Sequence, residues 1–246
     1  MNLLLGLVAP FIFGGQDVSL DDPVSRSVVA IMDHKKFTCT ATLIAENMAL
    51  TAAHCFDEKM LLSFGLVAED KKNARRNVLR VGVPEQYRGD VNDHLGDIAV
   101  LYFEGGLPAG YRSVEILADD VELLSGQSVV QVGYGNLNAG RVLNGMGVLR
   151  KTLSEISVPN FSETELSIDQ VKGRGACFGD SGGPLLVSQG LDIFVAGVTS
   201  RYKGFNCASE MVYTKARSYR AWIEEQKIEL PRLYREAREK QNSLSF

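Results

Sequence analysis

Residues 179–184 of the 246-residue chain read Gly-Asp-Ser-Gly-Gly-Pro, and this stretch does most to fix the fold class and the chemistry. A glycine two positions before Ser181 lets the backbone adopt a turn that L-residues avoid and aim its N–H outward. The N–H groups of Gly179 and Ser181 can then point at one oxygen, as a developing oxyanion requires. A glycine-rich turn that holds Asp-Ser is by itself usually only a turn, so the string needs partners elsewhere.

Two further strings carry the groups that a reactive serine needs. Residues 50–55 read Leu-Thr-Ala-Ala-His-Cys, which places His54 among small residues that leave room for its ring. A neutral imidazole is the usual base for a serine hydroxyl. Residues 96–101 read Gly-Asp-Ile-Ala-Val-Leu, so Asp97 opens an apolar strand where a buried carboxylate needs a partner. Taken singly, the two strings also fit a structural histidine and a strand-edge turn, whereas His34 and His94 lack such a context.

Composition and charge narrow the class of protein. Apolar residues make up 45% of the chain, charged residues 23%, and the formal net charge is -4. These values are typical of soluble globular proteins and argue against global disorder. Because no dense basic stripe is present, we expect no nucleic-acid partner. No run reaches the roughly 18 apolar residues needed to span a bilayer, so we expect no membrane span.

The first thirteen residues are mostly apolar, and we interpret residues 1–11 as a signal or pro-segment. No Lys or Arg precedes the run, and the run is shorter than a full signal, so an ordinary buried strand is the alternative. The signal reading predicts a secreted or periplasmic protein.

Four cysteines are present, at positions 39, 55, 177 and 207, and four cysteines allow three pairings. None has the C-x-x-C spacing of a zinc or redox site, so we expect no metal. Two disulfides formed in an oxidising compartment fit better. Cys55 adjoins His54 and Cys177 lies four residues before Ser181, so such bonds would hold the reactive loops.

Short apolar runs broken by Gly, Asp and Asn recur about every ten residues, a pattern typical of an all-β sandwich or barrel. The stretch Gly105 to Gly110 is the best candidate for a linker between two lobes. Residues 218–226 read as a helix that Pro231 interrupts, and residues 232–240 as a second, charged helix that is either a solvated tail or a docking segment.

The three strings together resemble the trypsin/chymotrypsin family of serine proteases, over residues 12 to about 225. The order His, Asp, Ser along the chain matches that family and not subtilisins or α/β-hydrolases. The resemblance implies an all-β fold of two antiparallel six-stranded β-barrels with a C-terminal helix. It divides the chain into residues 1–11, a first barrel (12–110), a second barrel with the helix (111–230) and a tail (231–246).

The resemblance also implies a role for each matching residue. Ser181 is the nucleophile, His54 the base and Asp97 the group that orients His54, while Ser200 helps to hold Asp97. The N–H groups of Gly179 and Ser181 form the oxyanion hole. The implied disulfides are Cys39–Cys55 and Cys177–Cys207.

Activation and specificity follow from the same resemblance. A cut after Phe11 would free Ile12, whose new α-amino group pairs with Asp180, so the chain is expected to be a zymogen. Three positions match the specificity pocket: Gly175 at its floor, and Tyr202 and Met211 on its walls. A glycine floor lacks the charge that binds Arg or Lys, and bulky walls favour small or medium apolar side chains. Arg201 replaces a usual tryptophan, and Tyr202 swung aside would admit a larger side chain.

The sequence therefore predicts a secreted serine endopeptidase that needs no cofactor, acts on polypeptide substrates, depends on an activating protease and is a monomer. A catalytically silent binding protein on the same scaffold is the alternative, and an esterase-like hydrolase is a third possibility.

Overall fold

The computed structural model describes residues 14–33, 36–89, 95–140 and 143–244. Ile12 and residues 1–11 lie outside the described residues, as do His34 and His94. The strands are β1 Gln16–Asp17, β2 Val28–Asp33, β3 Lys36–Ala45, β4 Met48–Thr51, β5 Met60–Phe64, β6 Ala74–Gly82, β7 Ala99–Phe103, β8 Glu115–Ile116, β9 Ser128–Gly133, β10 Arg150–Glu155, β11 Glu165–Asp169, β12 Pro184–Gln189, β13 Asp192–Lys203 and β14 Glu210–Lys215. Short 3-10 turns span Pro23–Arg26, Ala53–Cys55 and Ala216–Tyr219, and one α-helix, α1, spans Arg220–Ser243.

The first half of the chain forms a closed barrel of six antiparallel strands in the order β2-β3-β4-β7-β6-β5. Its strands are rich in β-branched and other apolar residues, and β2 and β4 are buried along nearly their whole length because they face the barrel core. Fully buried side chains fill the interior, among them those of Ile31, Leu43, Leu50, Leu62 and Phe103.

The second half forms an eight-stranded sheet in which β10, β9, β12, β13, β14 and β11 are neighbours in that order. β1 extends the sheet beyond β10, and β8 pairs in parallel with β13. The expected all-β class with a C-terminal helix is confirmed. The six neighbouring strands of this sheet do not close into a complete barrel, because its outer strands β10 and β11 do not pair. An isolated bridge joins Val158 and Ser167 there.

Two elements cross between the halves. Tyr134, which follows β9, is fully buried, and its hydroxyl oxygen lies 2.7 Å from the Gly65 carbonyl oxygen and 3.2 Å from that of Val28. β1 precedes the first barrel in the chain yet pairs with β10 of the second sheet. Each half therefore contributes a residue or strand that binds the other half. The predicted domain boundary at residues 110 and 111 stays a prediction.

Helix α1 returns from the second sheet to the first barrel. The prediction that Pro231 interrupts the helix is wrong, because α1 runs through Pro231 to Ser243. Packing on either side outweighs the hydrogen bond that proline removes: Leu230 is 3% exposed, and the Tyr234 ring lies edge-on to Tyr102 at 5.8 Å. No helix in the described ranges is long and apolar enough to cross a membrane.

Leu230→Ala should destabilise the protein by about 2–4 kcal/mol, because it opens a cavity where α1 meets the barrel. Leu233→Ala on the same helix is the control. Its side chain is 42% exposed, so the loss should be below about 1 kcal/mol. Chemical denaturation with the disulfides intact measures both. Equal losses would mean that the second half of the helix does not bind the barrel.

Candidate active site

Asp97 is a fully buried carboxylate whose oxygens both accept hydrogen bonds. The backbone N–H of His54 donates to Oδ1 at 3.0 Å, and His54 Nδ1 lies 2.8 Å from Oδ2. The Ser200 hydroxyl donates to Oδ2 at 2.5 Å. Burial alone would raise the pKa of Asp97, but the hydrogen bonds from His54 and Ser200 outweigh burial and lower it. The carboxylate is therefore ionised, and as an acceptor it favours the His54 tautomer that carries its proton on Nδ1 and leaves Nε2 as the acceptor nitrogen.

The register of the barrel brings His54 and Asp97 together. Thr51 at the end of β4 pairs with Ala99 at the start of β7. Because the strands are antiparallel, the turn after Thr51 and the loop before Ala99 leave the sheet at the same edge. A disulfide from Cys39 on β3 to Cys55 holds that turn, and the His54 side chain remains 29% exposed.

Hydrogen bonds from both halves hold the loop of Ser181. The N–H of Thr40 on β3 donates to the Ser181 carbonyl at 2.9 Å. The N–H of Gly182 donates to the Thr199 carbonyl at 2.8 Å, and the N–H of Thr199 donates back to Gly183 at 2.9 Å. Gly182 has φ +78°, and a Cβ there would lie 1.9 Å from Thr51 Oγ1. Only glycine fits so close to β4 in this conformation.

These contacts connect the loop of Ser181 to the segments that carry Asp97 and His54. Thr199 precedes Ser200, which binds Asp97, and Thr51 precedes His54 by three residues. The loop of Ser181 is thus tied on one side to the strand that supports Asp97 and on the other to the strand that leads to His54. These contacts place the loop of Ser181 next to the segments that carry His54 and Asp97, between the two halves.

The backbone around Gly179 has the form expected of an oxyanion site. Gly179 has φ +91°, and a Cβ would lie 2.7 Å from both Phe37 and Met146. Its carbonyl accepts a hydrogen bond from the Thr40 hydroxyl at 2.9 Å. Within the described ranges, the N–H groups of Gly179 and Ser181 donate to no acceptor of the protein. Two uncommitted N–H groups beside a serine can stabilise a negative oxygen.

Asp180, between Gly179 and Ser181 in the chain, is buried. Its two oxygens accept the N–H groups of Gly135 at 2.7 Å and Cys177 at 2.8 Å. A Cβ on Gly133 or Gly135 would come within 2.2 or 2.3 Å of this carboxylate, so both positions require glycine. Burial raises the pKa of Asp180 to about 7. Ile12, the residue expected to supply its cation, lies outside the described residues.

Two of the three predicted pocket residues, Tyr202 and Met211, are neighbours on adjacent strands, and Gly175 lies beside Gln170. Gly175 is buried, Met211 is 3% exposed, and Tyr202 pairs with Met211 across β13 and β14. Sequence reasoning missed Phe178, whose ring lies edge-on to Tyr202 at 5.8 Å. It also missed Gln170, a buried side chain next to Gly175. A contact between distant residues leaves no local signal in the sequence.

His54 also lies within 4.8 Å of the sulfurs of Cys39 and Cys55. Those sulfurs form a disulfide, whereas metals bind the thiolate form. This cluster therefore lacks the donors of a metal site.

The disulfides join Cys39 to Cys55 and Cys177 to Cys207, which is the pairing that the resemblance implies. Both bonds flank the loops that carry His54 and Ser181, and the described residues contain no free cysteine.

The chain is similar in sequence and in fold to known proteins. A family model described as Trypsin matches residues 13–223. A chymotrypsin of Phaedon cochleariae is 28% identical over 231 residues, which cover 87% of this chain and 81% of the relative. A vitellin-degrading protease of Bombyx mori is 27% identical over 250 residues, covering 87% and 84%. The solved structure of neuropsin, a serine protease expressed in the limbic system of mouse brain, has a TM-score of 0.76 at 22% identity and covers 87% of this chain and 98% of its own. That last likeness concerns the fold.

The raised pKa of Asp180 makes stability depend on pH in a chain that keeps residues 1–11, because residue 12 then has no α-amine. The pKa of Asp180 is higher in the folded state than its ordinary value of 3.8, so the folded state binds the proton of this carboxyl group more tightly than the unfolded state does. Stability is therefore lost as the pH rises from about 4 through about 7.

Measured in a Ser181→Ala background, the uncut chain should lose on the order of 2–4 kcal/mol between pH 5 and pH 8 relative to Asp180→Asn. Asp192→Asn, which removes an exposed carboxylate, should leave the pH dependence unchanged. Parallel curves for the parent chain and Asp180→Asn would contradict the assignment.

Proposed function

Because this chain belongs to the trypsin family of serine proteases, we propose that Ser181, His54 and Asp97 carry out its peptide hydrolysis. The chain is a serine-type endopeptidase, and the proposal concerns which residues perform the reaction, what they cut and how the enzyme is switched on. The observation that carries it is the buried Asp97 carboxylate hydrogen-bonded to His54, together with N–H groups of Gly179 and Ser181 that donate to no acceptor among the described residues.

In the first half of the reaction, His54 Nε2 takes the proton of the Ser181 hydroxyl as its oxygen attacks the scissile carbonyl carbon. The N–H groups of Gly179 and Ser181 donate to the oxygen that becomes negative. The imidazolium then donates its proton to the leaving amine, and the C–N bond breaks to leave an acyl-enzyme. Water activated by His54 hydrolyses the ester and restores Ser181.

Asp97 acts throughout by position and charge. Its carboxylate fixes the Nδ1 tautomer of His54 and stabilises the imidazolium that forms during each proton transfer. The hydroxyl of Ser200 satisfies the second lone pair of Oδ2, which supports a single orientation of the carboxylate.

We further propose that the residue before the scissile bond is small or medium-sized and apolar. Met211 and Gly175 are buried, Tyr202 is half-buried, and Phe178 packs against Tyr202, which leaves little room in the pocket. The ring of Phe178 also opposes outward rotation of Tyr202.

We also propose that the chain is a zymogen that is activated through Asp180. A cut after Phe11 would give Ile12 an α-ammonium group able to pair with Asp180. The buried carboxylate accepts two N–H groups. Among the described residues, the charge of Arg150 lowers its pKa, but the Arg150 guanidinium pairs with Asp17 and burial still raises the pKa, which supports a missing cationic partner. Because Asp180 lies between Gly179 and Ser181, such pairing would fix both oxyanion donors. Two disulfides and an apolar first segment support export.

A fluorophosphonate probe tests the assigned nucleophile. The wild-type protein should be labelled after release of residues 1–11 and much less before it. Ser181→Ala should not be labelled, and its kcat should fall by about four orders of magnitude or more. Ser188→Ala, which changes an exposed serine on β12, should react like the wild type. Labelling of Ser181→Ala would refute the assignment, and an unlabelled wild type would favour a binding protein on this scaffold.

A library of peptides digested by the processed enzyme tests the pocket. Cleavage should concentrate after Ala and Val, because Tyr202 and Met211 restrict the size of the pocket and Gly175 at its floor carries no charge to bind a cation. Mass spectrometry of the products locates the cuts. Dominant cleavage after Arg or Lys would contradict the proposal, and ester hydrolysis without peptide cleavage would indicate an esterase-like enzyme.

A further inference from the structure

We infer that Gln170 forms the floor of the specificity pocket and sets both its depth and its charge. This inference rests on the proposed function and names a specificity-determining residue that family motifs do not mark. Gln170 follows β11, 11 residues before Ser181 in the chain, and its side chain is fully buried.

The carboxamide of Gln170 bridges the two walls of the pocket. Its Nε2 donates to the Ala176 carbonyl at 2.9 Å and to the Cys207 carbonyl at 2.5 Å. Its Oε1 accepts the N–H of Ala176 at 2.7 Å. Ala176 belongs to the wall that leads to Ser181, and Cys207 to the turn that joins β13 to β14. The amide thus fixes the separation of the walls next to the disulfide between Cys177 and Cys207.

The same carboxamide occupies the space of a floor side chain. Gly175 is the position that would carry such a side chain, and a Cβ there would lie 1.8 Å from Gln170 Oε1. The φ of +153° at Gly175 is also a conformation that L-residues rarely adopt. A side chain at 175 and the present position of Gln170 are therefore mutually exclusive, and the glutamine amide closes the bottom of the pocket.

The layer behind the floor is neutral and internally satisfied. Gln131 Oε1 accepts both the N–H of Ala176 at 2.8 Å and the Tyr213 hydroxyl at 2.7 Å. Both N–H groups of the Gln170 amide are committed to carbonyls. A cation that entered the pocket would lose its hydration and would meet only neutral amide and phenol side chains in this layer, which is unfavourable.

The structure therefore assigns to Gln170 two separable effects on substrate choice. Its length excludes long side chains, and its neutral amide excludes cationic ones. Replacing the amide by a shorter side chain should deepen the pocket, and replacing it by a carboxylate should give the floor a negative charge.

Steady-state kinetics on peptides that differ only in the residue before the cut measure both effects. In Gln170→Ala, kcat/KM for Leu relative to Ala should rise roughly tenfold, because the floor recedes. In Gln170→Glu, kcat/KM for Lys relative to Ala should rise roughly tenfold or more. The ammonium group of the substrate lysine would neutralise the new carboxylate, and it would donate to the two carbonyls that lose the amide donor.

Gln189→Ala and Gln189→Glu are the matched controls, since Gln189 is exposed at the end of β12. Both should keep the wild-type ratios. Near-ultraviolet circular dichroism and reactivity with the fluorophosphonate probe establish that each variant is folded and has a working nucleophile. If Gln170→Glu does not fold, the Gln170→Ala ratio decides alone.

Unchanged ratios in folded, probe-reactive Gln170 variants would overturn the inference and leave the proposed function intact. A wild-type protein that neither reacts with the probe nor cleaves any peptide would instead overturn the proposed function.

Discussion

The arrangement of this enzyme depends on the burial of one ionised carboxylate. Asp97 belongs to the first barrel, but its donors come from both halves: His54 from the first, and the Ser200 hydroxyl from the second. The Thr214 hydroxyl on β14 also donates to the Asp97 carbonyl at 3.0 Å. Moving the halves apart would leave a buried charge short of donors, which is among the costliest defects in a protein interior. The electrostatics of Asp97 therefore hold the cleft together.

Other contacts make the same joint rigid. The Tyr134 ring from the second half is buried against the first barrel, and helix α1 carries the end of the chain back across β6 and β7. The loop of Ser181 is hydrogen-bonded to Thr40 on one side and to Thr199 on the other. Because hydrogen bonds from two separate sheets hold the loop of Ser181, its backbone has little freedom to move. Nucleophilic catalysis requires such preorganisation.

The sequence allows a prediction for those site residues that lie in short contiguous strings. The strings around His54, Asp97 and Ser181 combine a chemical group with the glycines and apolar runs that position it, so their types and spacing are informative. The family and the all-β class with a terminal helix could be inferred for the same reason. Gln170 could not, because its role arises from contacts with Gly175 and Cys207 that no local pattern encodes. Pro231 misled the reasoning, since tertiary packing of Leu230 and Tyr234 outweighs its local preference. The missing pairing between β10 and β11 depends on the path of the loop that joins them, and strand propensity does not determine that path.

We propose that the imidazole of His54 and the hydroxyl of Ser181 meet in the cleft and that Asp97 orients the imidazole. A crystal structure of the processed protein with a phosphonate bound covalently to Ser181 tests this most directly. We expect His54 Nε2 at about 3 Å from the serine oxygen or a phosphonyl oxygen. Nδ1 should still be bonded to Asp97, and a phosphonyl oxygen should lie between the N–H groups of Gly179 and Ser181. An imidazole turned out of the cleft, with Asp97 bonded to other groups, would contradict it.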